Sequence, residues 1–189
     1  MDFETLLNDS LFNPGRAGEV LDREVPMLAV DWGVRDEDAM VHTLGVNFLA
    51  AIGRSVGLIG LTEYPVPRAE RWKDKLVRVD AAWIDRANRH PRLLAEFERF
   101  STGETLVEKQ ANLYVAAHGC DESPEVLLLC AWALDGVPVD VGWHPADRPI
   151  HVSGRPSVTR PPRSRIVVAQ AVFGRRGDML HFLRFRRLA

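Results

Sequence analysis

Ten consecutive residues, Glu125 to Leu134 (EVLLLCAWAL), contain one charged side chain and are otherwise almost wholly apolar. The run is too short to span a bilayer as a helix, which takes ~20 residues. A short continuous apolar run of this kind reads as a β-strand buried on both faces. Such a strand belongs in the middle of a sheet with cover on each side, so the rest of the chain has to supply neighbouring strands and flanking helices.

The remaining periodicities supply them. Met40, Val41, Leu44, Phe48, Leu49, Ile52 and Val56 recur at helical spacing, with Asp36 or Asp38 as the expected cap and Gly57 as the expected stop. Leu58 to Val66 reads as a strand closed by prolines. Leu76 to Asp85 (LVRVDAAWID) and Leu93 to Phe100 (LLAEFERF) read as the two arms of a hairpin around DRANRHP. Ser101 and Glu104 fit an S-x-x-E capping box, which opens a second helix with Leu106, Val107, Ala111, Leu113, Tyr114 and Ala117 on its apolar face and Gly119 at its end. Arg148 to Arg165 is a Pro/Ser/Arg loop, Arg165 to Phe173 a strand, and Met179 to Leu188 either a strand or a short helix. The acidic N-terminal stretch is expected to hold one short helix, Phe3 to Leu7, in an otherwise irregular lead-in. The fold class is therefore α/β, an α+β mixed sheet with flanking helices.

With 189 residues the chain suits one domain. It divides into an acidic lead-in (1–35), a core (36–135) and a basic C-terminal extension (136–189). The N-terminus MDFETLLNDS is acidic where a signal peptide is basic, so a cytoplasmic protein with no membrane span is expected. Cys120 and Cys130 lack CxxC spacing and read as buried free thiols. The six histidines form no HxxxH or HExxH pair, so a zinc site is not expected.

The hairpin carries the chemistry. Asp80 and Glu96 are equidistant from Asn88, so a turn centred there sets them opposite each other, with Glu98 on the same face. Three carboxylates on one patch repel, and a cation or a shared proton offsets that repulsion. Mg²⁺ takes such oxygen ligands together with water and phosphate. Lys109 and Gln110 follow in the second turn of the next helix, and Tyr114 shares a face with Gln110.

Asp80, then Glu96-Phe97-Glu98, then a helix with Lys109 resembles the PD-(D/E)XK nuclease superfamily, the restriction-endonuclease-like fold. Gln110-Ala111-Asn112-Leu113-Tyr114 is similar to the Q-x-x-x-Y element of its RecB-type branch. The resemblance covers roughly residues 36–134. It implies an αβββαβ core with extra C-terminal β elements and a Mg²⁺- or Mn²⁺-dependent nuclease. In it Asp80, Glu96 and Glu98 would be metal ligands, Lys109 would complete the catalytic set, and Gln110 and Tyr114 would contact substrate. Val79 stands in place of the proline of the family name. Glu98 stands where lysine is usual, although some members carry glutamate there and others move the lysine to the next helix. That departure keeps open an alternative, a nuclease-fold binding module or protein-interaction component without catalysis.

The overall net charge of -2 conceals a split: His151 to Ala189 has nine basic residues and one acidic. Arg155, Arg160, Arg163 and Arg165 lie in or beside the proline-rich loop, Arg175 and Arg176 in a turn, and Arg184, Arg186 and Arg187 near the end of the chain. Arginine suits phosphate through its planar fork. Nucleic acid, with DNA first, is therefore the expected partner, and Arg160, Arg163 and Arg165 are candidate substrate contacts. The competing reading pairs these arginines with the acidic N-terminal half, within the fold or across a homodimer or protein partner.

Overall fold

A computed structural model of the chain describes residues 2–35, 39–66, 77–142, 148–151 and 157–189. It has helices α1 (Phe3–Ser10), α2 (Pro14–Glu24), α3 (Ala39–Ser55) and α4 (Gly103–His118). Six strands form one mixed sheet: β1 (Ile59–Pro65), β2 (Arg78–Ile84), β3 (Pro91–Arg99), β4 (Val126–Leu134), β5 (Arg165–Arg176) and β6 (Met179–Arg187). Their order in the sheet is their order in the chain. β1, β2 and β3 pair antiparallel, β3–β4 and β4–β5 parallel, and β5–β6 antiparallel. This is an α+β mixed sheet, and the segment Met179–Arg187 resolves as a strand.

Residues 126–133 of β4 are buried throughout. Val126, Leu128, Cys130 and Trp132 join the core under α1, α2 and α3. Leu127, Leu129, Ala131 and Ala133 join a second core under α4. Alternation along one strand thus feeds two cores, which is why the run is apolar without a break.

The acidic lead-in is more ordered than its sequence suggests. Asn13 caps α2 by accepting from the Gly15 and Arg16 N–H groups, and Pro14 takes the first helical position, where it sacrifices no hydrogen bond. Phe3, Leu7, Leu11, Ala17, Val20 and Leu21 are buried in the first core. The short-helix expectation thus becomes two helices, because a narrow apolar stripe is enough when a sheet face needs cover.

Two glycines within α3 let it lie close to the sheet. A Cβ on Gly45 would lie 2.3 Å from the Phe97 ring, and one on Gly53 would lie 2.5 Å from Trp83. Their absence lets Trp83, fully buried, donate from Nε1 to the Leu49 carbonyl at 2.8 Å. Gly57, with φ 86°, takes the left-handed turn that stops α3.

Two more expectations need correction and two fall outside what is described. α4 begins at Gly103 with Thr102 as its N-cap and no side-chain cap bond, so the Ser101–Glu104 capping box does not form. The Ser101 and Thr102 hydroxyls instead lie 3.4 Å from the Thr105 hydroxyl. Both cysteines are free, but only Cys130 is buried, while Cys120 is partly exposed. The Asp36 or Asp38 cap and Arg155 lie outside the described residues. Among the described residues no helix is long and apolar enough to cross a membrane.

Candidate functional site

The hairpin register follows the sequence arithmetic. Ala81 pairs with Ala95 and Ala82 with Leu94, so Asp80 falls level with Glu96. Beyond Ala81 the partners change. The Asp80 carboxylate Oδ2 accepts the Phe97 N–H at 2.8 Å, and the Arg78 carbonyl accepts from the Asn112 side chain at 2.7 Å. Side chains thus take the bonds that strand pairing would otherwise use, and the polar groups gather at this end of the hairpin.

Lys109 stands between two of the carboxylates. Its Nζ is 3.0 Å from Glu96 Oε2 and 3.3 Å from Glu98 Oε2. Asn112, three residues on and so on the same helix face, donates to Glu96 Oε1 at 2.6 Å. Glu98 Oε1 accepts the Arg99 N–H at 3.1 Å. From the opposite layer, His42 of α3 brings Nε2 to 3.5 Å from Asp80 Oδ2. His42 lies one turn before Gly45, and its ring meets Phe97 edge-on at 6.2 Å. The glycine that lets α3 down onto Phe97 therefore also brings His42 within reach of Asp80.

The charges of these groups act on one another. Glu96 is 1% exposed. Burial, then the Asp80 charge, push its carboxyl up to about 8, against the pull of Lys109 and Asn112. Burial also acts to raise Asp80, but the His42 bond, the Lys109 charge and the Phe97 N–H together hold it below the usual carboxylate range. Burial acts to lower Lys109, and Glu96 and Asp80 overcome that and raise it. The Asp80 hydrogen bond raises His42. One carboxylate is kept ionised while its neighbour is biased toward its proton, a separation typical of sites that hold a cation or move protons.

Asp80, Glu96, Glu98 and Lys109 are therefore brought together. Gln110 and Tyr114 are not brought to them for substrate. Both are completely buried, and Gln110 Nε2 donates to the Tyr114 hydroxyl at 2.7 Å. They are packing and polar-network residues of α4, because that face of the helix lies on the sheet.

Nor do the proline-loop arginines reach the carboxylates. Glu98 is level with Ala131, but Arg165 is level with Val126, five residues back along the parallel strands. Arg165 points to the α1 face and pairs with Glu4 at 3.2 Å, and Arg187 also pairs with Glu4. Arg160 donates to the Ser164 carbonyl at 2.6 Å. Arg163 lies exposed in the turn before Ser164, whose hydroxyl bonds Pro124 at the start of β4. As substrate contacts these three arginines sit at the wrong end of the sheet. Pairing with the acidic lead-in, the competing reading, is what Arg165 and Arg187 display.

His42 and Asn112 had no signal as site residues in the sequence. His42 lies in an unremarkable helix, and only the three-residue spacing from Lys109 marks Asn112.

The donor chemistry suits a hard divalent cation: three carboxylates, two of them buried, whose mutual repulsion such an ion would offset. As they stand, no three His, Cys, Asp or Glu side chains among the described residues are gathered tightly enough to grip a metal. Comparison with family models, with curated proteins and with solved structures returns no match.

Proposed function

We propose that this chain is a metal-dependent phosphodiesterase, a nuclease of the PD-(D/E)XK kind, acting on nucleic acid and most readily on DNA. The observation that carries the proposal is the meeting of Asp80, Glu96 and Glu98 with Lys109 at the open end of one hairpin. Asp80 and Glu96, with Glu98 beside them, would hold Mg²⁺ or Mn²⁺. Bound there, the ion supplies Lewis-acid polarisation of a phosphoryl oxygen and a more acidic water.

The chain's own groups do the rest. Lys109 carries the positive charge that can face a phosphoryl oxygen as negative charge develops on it. Asn112 fixes the orientation of Glu96, and His42 with the Phe97 N–H fixes that of Asp80. Glu98, the more exposed of the two glutamates that bind Lys109, is the group able to take a proton from water.

The test is incubation with supercoiled, linear and single-stranded DNA and with RNA, in Mg²⁺ and in Mn²⁺. The wild-type protein should cleave at least one substrate, and Asp80→Ala should not. Equal survival of every substrate with both proteins would sink the catalytic proposal. A second reading, a binding module without catalysis, draws on the Lys109 ammonium, which pairs with both Glu96 and Glu98. Calorimetric titration separates the two: the nuclease takes up Mg²⁺ at the carboxylates, and the binding module does not.

A further inference from the structure

The last strand distributes its arginines between the two faces of the sheet. Arg187 is level with Ala169 and turns to the α1 side, where it meets Glu4. Arg184 and Arg186 alternate with Phe185, which is buried in the first core, and so point to the other face. That is the face of Glu96 and Glu98.

Register makes the relation closer. Glu98 is level with Ala131, Ala131 with Gln170, and Gln170 with Arg186. Glu98 and Arg186 thus end one row across the sheet, three strand spacings apart, or roughly 14 Å at ~4.8 Å per strand. α4 packs over β2, β3 and β4. On the β5–β6 side the same face bears a pocket of about 190 Å³ lined by Gln170, Arg184, Arg186, Asp135 and Val137 among others.

The pocket is built to hold an arginine in place. Gln170 is 2% exposed, accepts from Arg186 at 2.6 Å and donates to the Val137 carbonyl at 3.3 Å. One edge of the Arg186 guanidinium is thereby anchored while the residue itself remains exposed. Arg184 pairs with Asp135 at 3.1 Å, an exposed pair that an incoming anion can enter. Two arginines against one aspartate leave the cluster with one net positive charge.

We infer that Arg186 and Arg184 bind a phosphate of the nucleic-acid backbone roughly 14 Å from the carboxylates, at ~4.8 Å per strand spacing, on a track that crosses above this row because Ala131 and Gln170 are buried. The inference rests on the nucleic-acid reading above and adds the path of the substrate. Arginine's fork suits a phosphate oxygen pair, and contacts of this type position the backbone without reading sequence.

The experiment is fluorescence anisotropy with labelled duplex DNA in EDTA, so that no cleavage intervenes, over a salt titration. The proteins are wild type, Arg184→Ala, Arg186→Ala, Arg186→Lys and, as a control on α2, Arg16→Ala, with thermal midpoints as the check of folding. Arg186→Ala should weaken binding about tenfold and reduce the log–log salt slope by about one. Arg186→Lys should keep the slope and lose part of the affinity, and Arg16→Ala should match wild type. Wild-type affinity and slope in both Arg184→Ala and Arg186→Ala would overturn the track, even where Asp80→Ala abolishes cleavage. Failure of the wild-type protein to bind duplex at low salt would overturn it as well. Arginine-dependent binding without cleavage would leave the track standing and remove the catalytic proposal.

Discussion

Glu96→Gln should flatten the pH response of stability. The wild-type carboxyl goes from an ordinary value of 4.5 in the unfolded chain to about 8 in the fold. A carboxyl raised on folding stabilises the protein fully below its unfolded value and loses that contribution as pH rises toward its folded value. The window is therefore pH 4.5 to about 8, and the ceiling is roughly 5 kcal/mol at ~1.4 kcal/mol per pH unit. His42, also raised on folding, adds loss in the same direction above its ordinary 6.5. Asp80, held low, loses its contribution only as pH falls below 3.8, and Lys109, raised, only above 10.5. Those two lie outside the window, and the His42 contribution remains in both proteins. The diagnostic is thus the difference between them. Urea denaturation in EDTA at a series of pH values should show the wild-type midpoint falling toward pH 8 and the Glu96→Gln midpoint falling much less. Parallel curves would mean that Glu96 is ionised throughout, and the account of its burial beside Asp80 would fail.

Three further outcomes are expected. Lys109→Met should lower the single-turnover cleavage rate by on the order of 100-fold, since it removes the ammonium that meets Glu96 and Glu98; an unchanged rate would take Lys109 out of the catalytic set. Gly45→Ala drives a methyl into the Phe97 ring, so its overpacking cost of ~1–3 kcal/mol should exceed the ~1 kcal/mol gained in helix propensity; the urea midpoint reads the balance, and a stabilised variant would contradict the close approach of α3. Glu4→Gln removes two partly exposed pairs and should cost less than about 1 kcal/mol by the same assay, because solvent screens such contacts; a larger loss would give α1 a greater share of stability than its ion pairs explain.

The hairpin was the most legible part of the chain. Symmetry about Asn88 is a property of antiparallel pairing itself, so the level placement of Asp80 and Glu96 could be worked out from numbers alone. The apolar run of β4 was equally readable, because a strand with two covered faces leaves no position for a polar residue. Gln110 and Tyr114 were misplaced for a related reason. Spacing shows that two residues share a helix face but not which face meets the sheet, and the Gln110–Tyr114 bond lets that polar pair be buried. His42 depends on the descent of α3 at Gly45, a tertiary event with no local pattern. The tail arginines sort by strand parity, and parity could not be applied while Met179 to Leu188 stood open between strand and helix.

The pairing of Glu4 with Arg165 and Arg187 joins the beginning of the chain to its last two strands. During synthesis α1 leaves the ribosome long before either partner exists. At ~5–20 residues per second the wait is roughly 10 to 40 seconds. Through that interval Phe3, Leu7 and Leu11 have no completed sheet to cover. Phe3 can meet Trp83 and Arg92 once β2 and β3 have emerged, but the ion pairs that lock α1 in place form only when β6 is made, and until then the nascent helix is a natural foothold for a chaperone.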